Sequence, residues 1–102
     1  MFKTTEVIYM ANMSIDEIII KVTEICKSLE VEHLTLFGSF ATGTNTERSD
    51  VDFVVYNCRD KCKLLDEVDE IDTLRKIDIF FYDEIKNEYL LEDIEKYGRQ
   101  IY

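Results

Sequence analysis

A chain of 102 residues is expected to fold as one domain (1–102) with a single modest core and no room for a separate substrate-binding domain. Its 22 Asp and Glu against 12 Lys and Arg, a net charge of −10, leave no basic footprint for phosphates, so direct nucleic-acid binding is not expected; the charge suits a basic protein partner or simple solubility. Three cysteines and one histidine argue against a disulfide scaffold or a zinc cage, and neither a secretory leader nor an apolar run near the ~20 residues of a membrane span is visible, so a soluble, cytoplasmic protein with reduced thiols is expected.

Taken in order, Val7, Ile8 and Tyr9 suggest a short extended piece ahead of the first clear element. Ser14-x-x-Glu17 is a capping box, and Ile15, Ile18, Ile19, Val22, Ile25, Cys26 and Leu29 follow at the spacing of one helix face, predicting a helix from Ser14 to about Glu30. Cys26 falls on that buried stripe and reads as core, not nucleophile. His33 to Phe37 is a strand that delivers Gly38 and Ser39 at its end, and His33 itself reads as structural or exposed. Ser39 to Thr44 is expected to make a short helical turn, Thr44 to Ser49 an exposed loop, and Asp50 to Tyr56 a second strand. Asp60 to Ile71 carries Leu64, Leu65, Val68 and Ile71 at helical spacing, a crossover helix. Arg75 to Phe81 is a third strand, with Lys76, Asp78 and Phe80 on one face and Ile77, Ile79 and Phe81 on the other. The last helix is expected from Asp83, as its cap, to Tyr97, with Ile85, Tyr89, Leu90 and Ile94 as its stripe and Gly98 as C-cap; Gln100 to Tyr102 then pairs as an edge strand. The expected class is α/β, a small mixed sheet with helices packed on one face.

The chemistry is concentrated between Leu36 and Val55. Gly38 lacks a Cβ, so a ligand can approach its backbone, and the N–H groups that follow can face an anion beside the Ser39 hydroxyl. On a strand Asp50 and Asp52 project from one side, and two carboxylates held together repel unless a cation sits between them. Hard oxygen ligands at this spacing suit Mg²⁺, which completes its shell with substrate phosphates and water. Asp-x-Asp alone is common in solvated turns, and no EF-hand glycine and glutamate follow it. Cys58-x-x-x-Cys62 lacks both the usual zinc spacing and a second ligand pair.

Gly38-Ser39, Gly43 and Asp50-x-Asp52 resemble the G-S-x(n)-D-x-D signature of the DNA polymerase β-type nucleotidyltransferases, most closely the stand-alone minimal (MNT) members. Lys76-Ile-Asp-Ile79 and the ending Tyr97 to Tyr102 resemble the same proteins' third-carboxylate strand and C-terminus. The resemblance implies the polymerase β-like fold, two Mg²⁺ ions held by Asp50, Asp52 and Asp78, and ATP as the nucleotide. It implies that Gly38, Ser39, Gly43 and Arg48 contact the phosphates, and that Asp78 helps deprotonate an attacking hydroxyl. Many relatives carry arginines in the turn, as in G-S-R-A-R-G, where this chain has Phe40 and Thr42; Arg48, Lys61, Lys63 and Lys76 are the candidates to compensate. Stand-alone members are typically paired with a HEPN-type helical protein, and as antitoxins add AMP to a tyrosine of that partner. The expected function is therefore Mg²⁺-dependent protein adenylylation of a HEPN toxin. The other readings are a binding antitoxin with a vestigial site, and a catalytic subunit acting on a small molecule or RNA held by its partner.

Overall fold

Ser14 starts the first helix as its sequence requires: its hydroxyl accepts from the Glu17 N–H at 3.2 Å, ahead of α1 (Ile15–Ser28). The computed structural model describes residues 13–102, so the extended piece expected at Val7 to Tyr9 lies outside the described residues. Ile18, Val22 and Cys26, spaced by four, form the buried stripe of α1. Burial, with the neighbouring Cys58 second, pushes the Cys26 thiol up to about 12, which keeps it neutral and inert as a core group. The helix closes without glycine. Val31 N–H donates to the Cys26 carbonyl at 2.9 Å and Glu30 N–H to that of Lys27 at 3.2 Å, a Schellman ending that places Glu30 at φ 60° and turns Val31 into the core.

The strands are β1 (His33–Phe37), β2 (Val51–Tyr56), β3 (Ile77–Phe81) and β4 (Arg99–Gln100), in sheet order β3-β2-β1-β4. β1 runs antiparallel to β2 and to β4, while β2 and β3 are parallel, which requires the crossover through α3 (Lys61–Asp69). Asp60 caps α3, its carboxylate accepting from the Lys63 N–H at 3.0 Å. A single-turn helix, α2 (Ser39–Thr42), follows β1. The expected mixed α/β architecture is present. One sheet face, carrying the buried Leu34, Leu36, Val51, Phe53 and Val55, packs with Ile18, Val22 and Cys26 of α1 and Leu64 and Val68 of α3. The opposite face carries Thr35, Phe37, Asp52, Val54, Asp78 and Phe80, as strand alternation dictates.

The last helix differs from the expected span. Tyr82–Glu84 makes one 3₁₀ turn, Ile85 is extended, and α4 (Glu88–Tyr97) begins at Asn87, whose side chain accepts from the Tyr89 and Leu90 N–H groups. Asp83 is not a cap, because it and Glu84 are drawn to the Lys61 ammonium at 2.9 and 2.7 Å. Gly98 stands at the expected position after α4, but with extended backbone (φ −66°, ψ 147°) instead of the left-handed form. Its small size is needed for packing: a Cβ there would strike the Ile94 carbonyl oxygen and come within 2.8 Å of Thr35 Cγ2. This contact lays the C-terminal end of α4 against Thr35 on the carboxylate-bearing face. The final strand, expected at Gln100 to Tyr102, is assigned at Arg99–Gln100, and its hydrogen bonds to Leu34 continue through Ile101 and Tyr102. Among the C-terminal aromatics Phe81 is buried, whereas Tyr82, Tyr89 and Tyr97 are exposed. No helix among the described residues is long and apolar enough to cross a membrane.

Candidate active site

The register of three strands brings the acidic residues to one end of the sheet. Asp52 is the direct neighbour of Phe37 on one side and of Asp78 on the other, across the parallel β2–β3 pair. Parallel neighbours in register share a face, so the two carboxyl groups meet, within hydrogen-bonding reach of each other. Asp50, exposed and two residues before Asp52, is near enough to act on it through charge. Burial first, then the charges of Asp78 and Asp50, push the Asp52 carboxyl up to about 6, with Lys76 opposing. Lys76 Nζ stands 3.6 Å from Asp78 Oδ1. Two converging carboxylates with a third at hand, uncompensated enough to raise a pKa, are the donor set a divalent cation relieves. Among the described residues no three His, Cys, Asp or Glu side chains come together closely enough to hold a metal ion, so Asp52 and Asp78 are a two-carboxylate set that Asp50, substrate phosphates and water would have to complete.

Gly38 adjoins this pair. It adopts φ 76° and ψ −152°, a conformation reserved for glycine, and a Cβ on it would lie 2.5 Å from Asp52 Oδ2. The turn therefore lies against the carboxylate. Ser39 opens α2, where the Ala41 and Thr42 N–H groups donate to the Gly38 carbonyl at 3.0 and 3.3 Å, leaving those of Ser39 and Phe40 with no helical carbonyl behind them. A hollow of about 280 Å³ lies beside the turn, lined by Phe37, Gly38, Ser39, Thr42 and Thr44 together with Asp93 and Tyr97 of α4. Larger hollows of about 490 and 480 Å³ lie between α3 and β3 and between α1 and α3; Asp50, Asp52 and Asp78 line none of the three, and the smaller one is distinguished by its place against the Gly38 turn.

Other residues singled out from the sequence stand apart. Gly43 ends α2 at φ 78°, its N–H donating to the Ser39 carbonyl, and is not on the wall of the hollow. Arg48 lies in the exposed loop, its backbone N–H on Thr46 Oγ1. Lys61 is bound to Asp83 and Glu84 near the far end of β3 and does not serve the site, whereas Lys76 is beside Asp78. The Phe40 ring packs against the core and Thr42 turns its hydroxyl to Thr44 Oγ1 at 3.0 Å, so neither brings a cation. Sequence reasoning missed Asp93 and Tyr97, whose i, i+4 spacing was the available signal, and Arg75, which donates through Nη1 to the Glu47 and Ser49 carbonyls.

Residues 20–102 match the family model described as "Polymerase beta, Nucleotidyltransferase". A Methanocaldococcus jannaschii protein named "Putative protein adenylyltransferase" is 34% identical over 71 residues, covering 66% of this chain and 72% of that protein. A crystal structure of a toxin-antitoxin with AMP-PNP superposes with a TM-score of 0.63 at 20% identity, covering 80% of this chain and 70% of that one. A mutant of the MntA-HpeT toxin-antitoxin gives 0.63 at 17% identity with the same coverage. At those identities the likeness is one of fold.

Proposed function

Because this chain belongs to the polymerase β nucleotidyltransferase family and is a nucleotidyltransferase, we propose that it transfers AMP from ATP to a tyrosine hydroxyl of a HEPN-type helical toxin and so acts as an antitoxin. The observation that carries the reading is the meeting of Asp52 and Asp78 beside the Gly38 turn, with Asp50 at the same end of the sheet. The relative's name and the toxin-antitoxin neighbours support the choice of acceptor class. Residues 1–102 would act as one domain, with the partner supplying the acceptor surface.

Asp50, Asp52 and Asp78 would hold Mg²⁺, which when bound offsets the carboxylates' repulsion and draws charge from the transferring phosphate. The chain's own groups account for the remaining requirements. The Ser39 hydroxyl and the first N–H groups of α2 bind the distal phosphates. Lys76 supplies the cation missing from Phe40 and Thr42. Asp78, at the edge of the carboxylate pair, takes the proton from the attacking hydroxyl. The acceptor oxygen then bonds to the α-phosphorus as the bond from that phosphorus to the bridging oxygen breaks, and pyrophosphate leaves.

A binding antitoxin with a vestigial site is the second reading, favoured by the absence of a cation at Phe40 and Thr42. Co-expression with the toxin separates the two. The transferase reading requires Asp52→Asn to lose protection while still binding the partner. Full protection by that variant would establish the binding reading in its place.

A further inference from the structure

The loop that leads into Asp50 is exposed from Thr44 to Arg48, yet the carboxylates it precedes must be held in place. Arg75 reaches it from β3's root. Its Nη1 donates to the carbonyl oxygens of Glu47 at 3.2 Å and Ser49 at 2.9 Å, and its guanidinium lies 5.1 Å over the Phe40 ring of α2. Its own backbone is fixed, N–H to Thr73 Oγ1 at 3.2 Å, and the adjoining Lys76 carbonyl accepts from the Val51 N–H at 2.9 Å. One side chain thus joins three segments that carry the site: the loop before Asp50, the turn after Gly38 and the start of the strand bearing Asp78. Arg75 lies two residues ahead of β3, and the charged groups that act on Asp52 are Asp78, Asp50 and Lys76, not Arg75.

We infer that Arg75 is a positioning residue that clasps the loop and the α2 turn together, and that Phe40 is the platform its guanidinium rests on. Phe40 in the turn is thereby used to pack a cation from a segment 35 residues later in the chain. Arginine suits this work because one terminal nitrogen of its planar guanidinium can donate to both carbonyls while the plane stacks on a ring, whereas a lysine ammonium is a flexible point donor that cannot stack. Supporting groups of this kind typically change metal affinity or activity by about 10–100-fold when removed. The role in catalysis rests on the transferase reading; the clasp itself does not.

The test compares the full-length wild type with Arg75→Ala, Arg75→Lys and Phe40→Leu, and with Val22→Ala, which weakens the core through α1. Hydrogen exchange of the amides from Thr46 to Val51 is read first. It is expected to speed up roughly tenfold in Arg75→Ala, partly in Arg75→Lys and Phe40→Leu, and not in Val22→Ala. The Mg²⁺ concentration for half-maximal transfer is read second, and should rise about 10–100-fold in Arg75→Ala and be partly restored by lysine. Unchanged loop exchange in Arg75→Ala, or an equal change in Val22→Ala, would overturn the clasp. If the wild type transfers nothing, the transferase reading fails while the exchange comparison still decides the clasp.

Discussion

Asp52 holds its proton more tightly than an ordinary aspartate, and the consequence for stability has a definite sign. Its carboxyl is raised from 3.8 to about 6, by burial and then by Asp78 and Asp50, so between those values the folded chain binds more protons than the unfolded one. Its contribution to stability is therefore fully present below pH 3.8 and lost as pH rises through 6. In the absence of divalent cation, Asp52→Asn should be more stable than wild type at pH 8, on the order of 1 kcal/mol once solvent screening is discounted, and the gain should vanish near pH 4. Urea unfolding at the two pH values measures this; an equal difference at both would contradict it. The same neighbourhood makes Gly38 intolerant. Gly38→Ala combines a left-handed φ with a methyl 2.5 Å from Asp52 Oδ2, so it should cost about 1–3 kcal/mol and displace the carboxylate. Gly43→Ala, also at positive φ but in open space, should cost about 1 kcal/mol. Denaturant midpoints of the two variants provide the comparison. Asp50 and Asp52 could be placed on one side from the sequence because strand alternation is a local rule, and Asp78 could be picked out by its resemblance to the family's third carboxylate. Arg75 could not, because its partners lie 26 and 28 residues away.

The helices and strands show the same division between local and distant causes. Apolar spacing marked α1 and α3 to within two residues, helped at α1 by the Ser14 capping box, since such signals come from neighbours in sequence. The break between Asp83 and Asn87 was hidden because Asp83 looks like a cap, yet its carboxylate is taken by Lys61, 22 residues away. Asn87→Ala should therefore cost ~1 kcal/mol through loss of the α4 cap, and Asp83→Ala markedly less; thermal melts of the two would reverse in order if the helix began at Asp83. Glu30 makes a related point. A glycine search misses the end of α1, since a glutamate occupies the left-handed position of the Schellman ending. Glu30→Gly should stabilise the protein by roughly 0.5–1 kcal/mol, the reverse of glycine's usual effect in a helix.

At the scale of the whole molecule, a net charge of −10 is carried on a fold whose open end is itself acidic, so a polyanionic nucleotide would bind there only with a cation that offsets that charge. A ligand that binds only the folded chain raises its melting temperature. AMP-PNP with Mg²⁺ at ~100 times its dissociation constant should do so by roughly 10 °C, and neither should act alone to that extent. The architecture could be read from the chain because each element's apolar pattern agreed with the others. The placement of α4 against Thr35 could not, since it depends on a contact between Gly98 and a strand 63 residues earlier in the sequence. The measurement that addresses the central claim is the intact mass of the co-purified partner after incubation with this protein, ATP and Mg²⁺, beside an Asp50→Asn/Asp52→Asn control. The account predicts a gain of one or more AMP units that the control lacks and that maps to a tyrosine. An unmodified partner in an intact, ATP-supplied complex would contradict it.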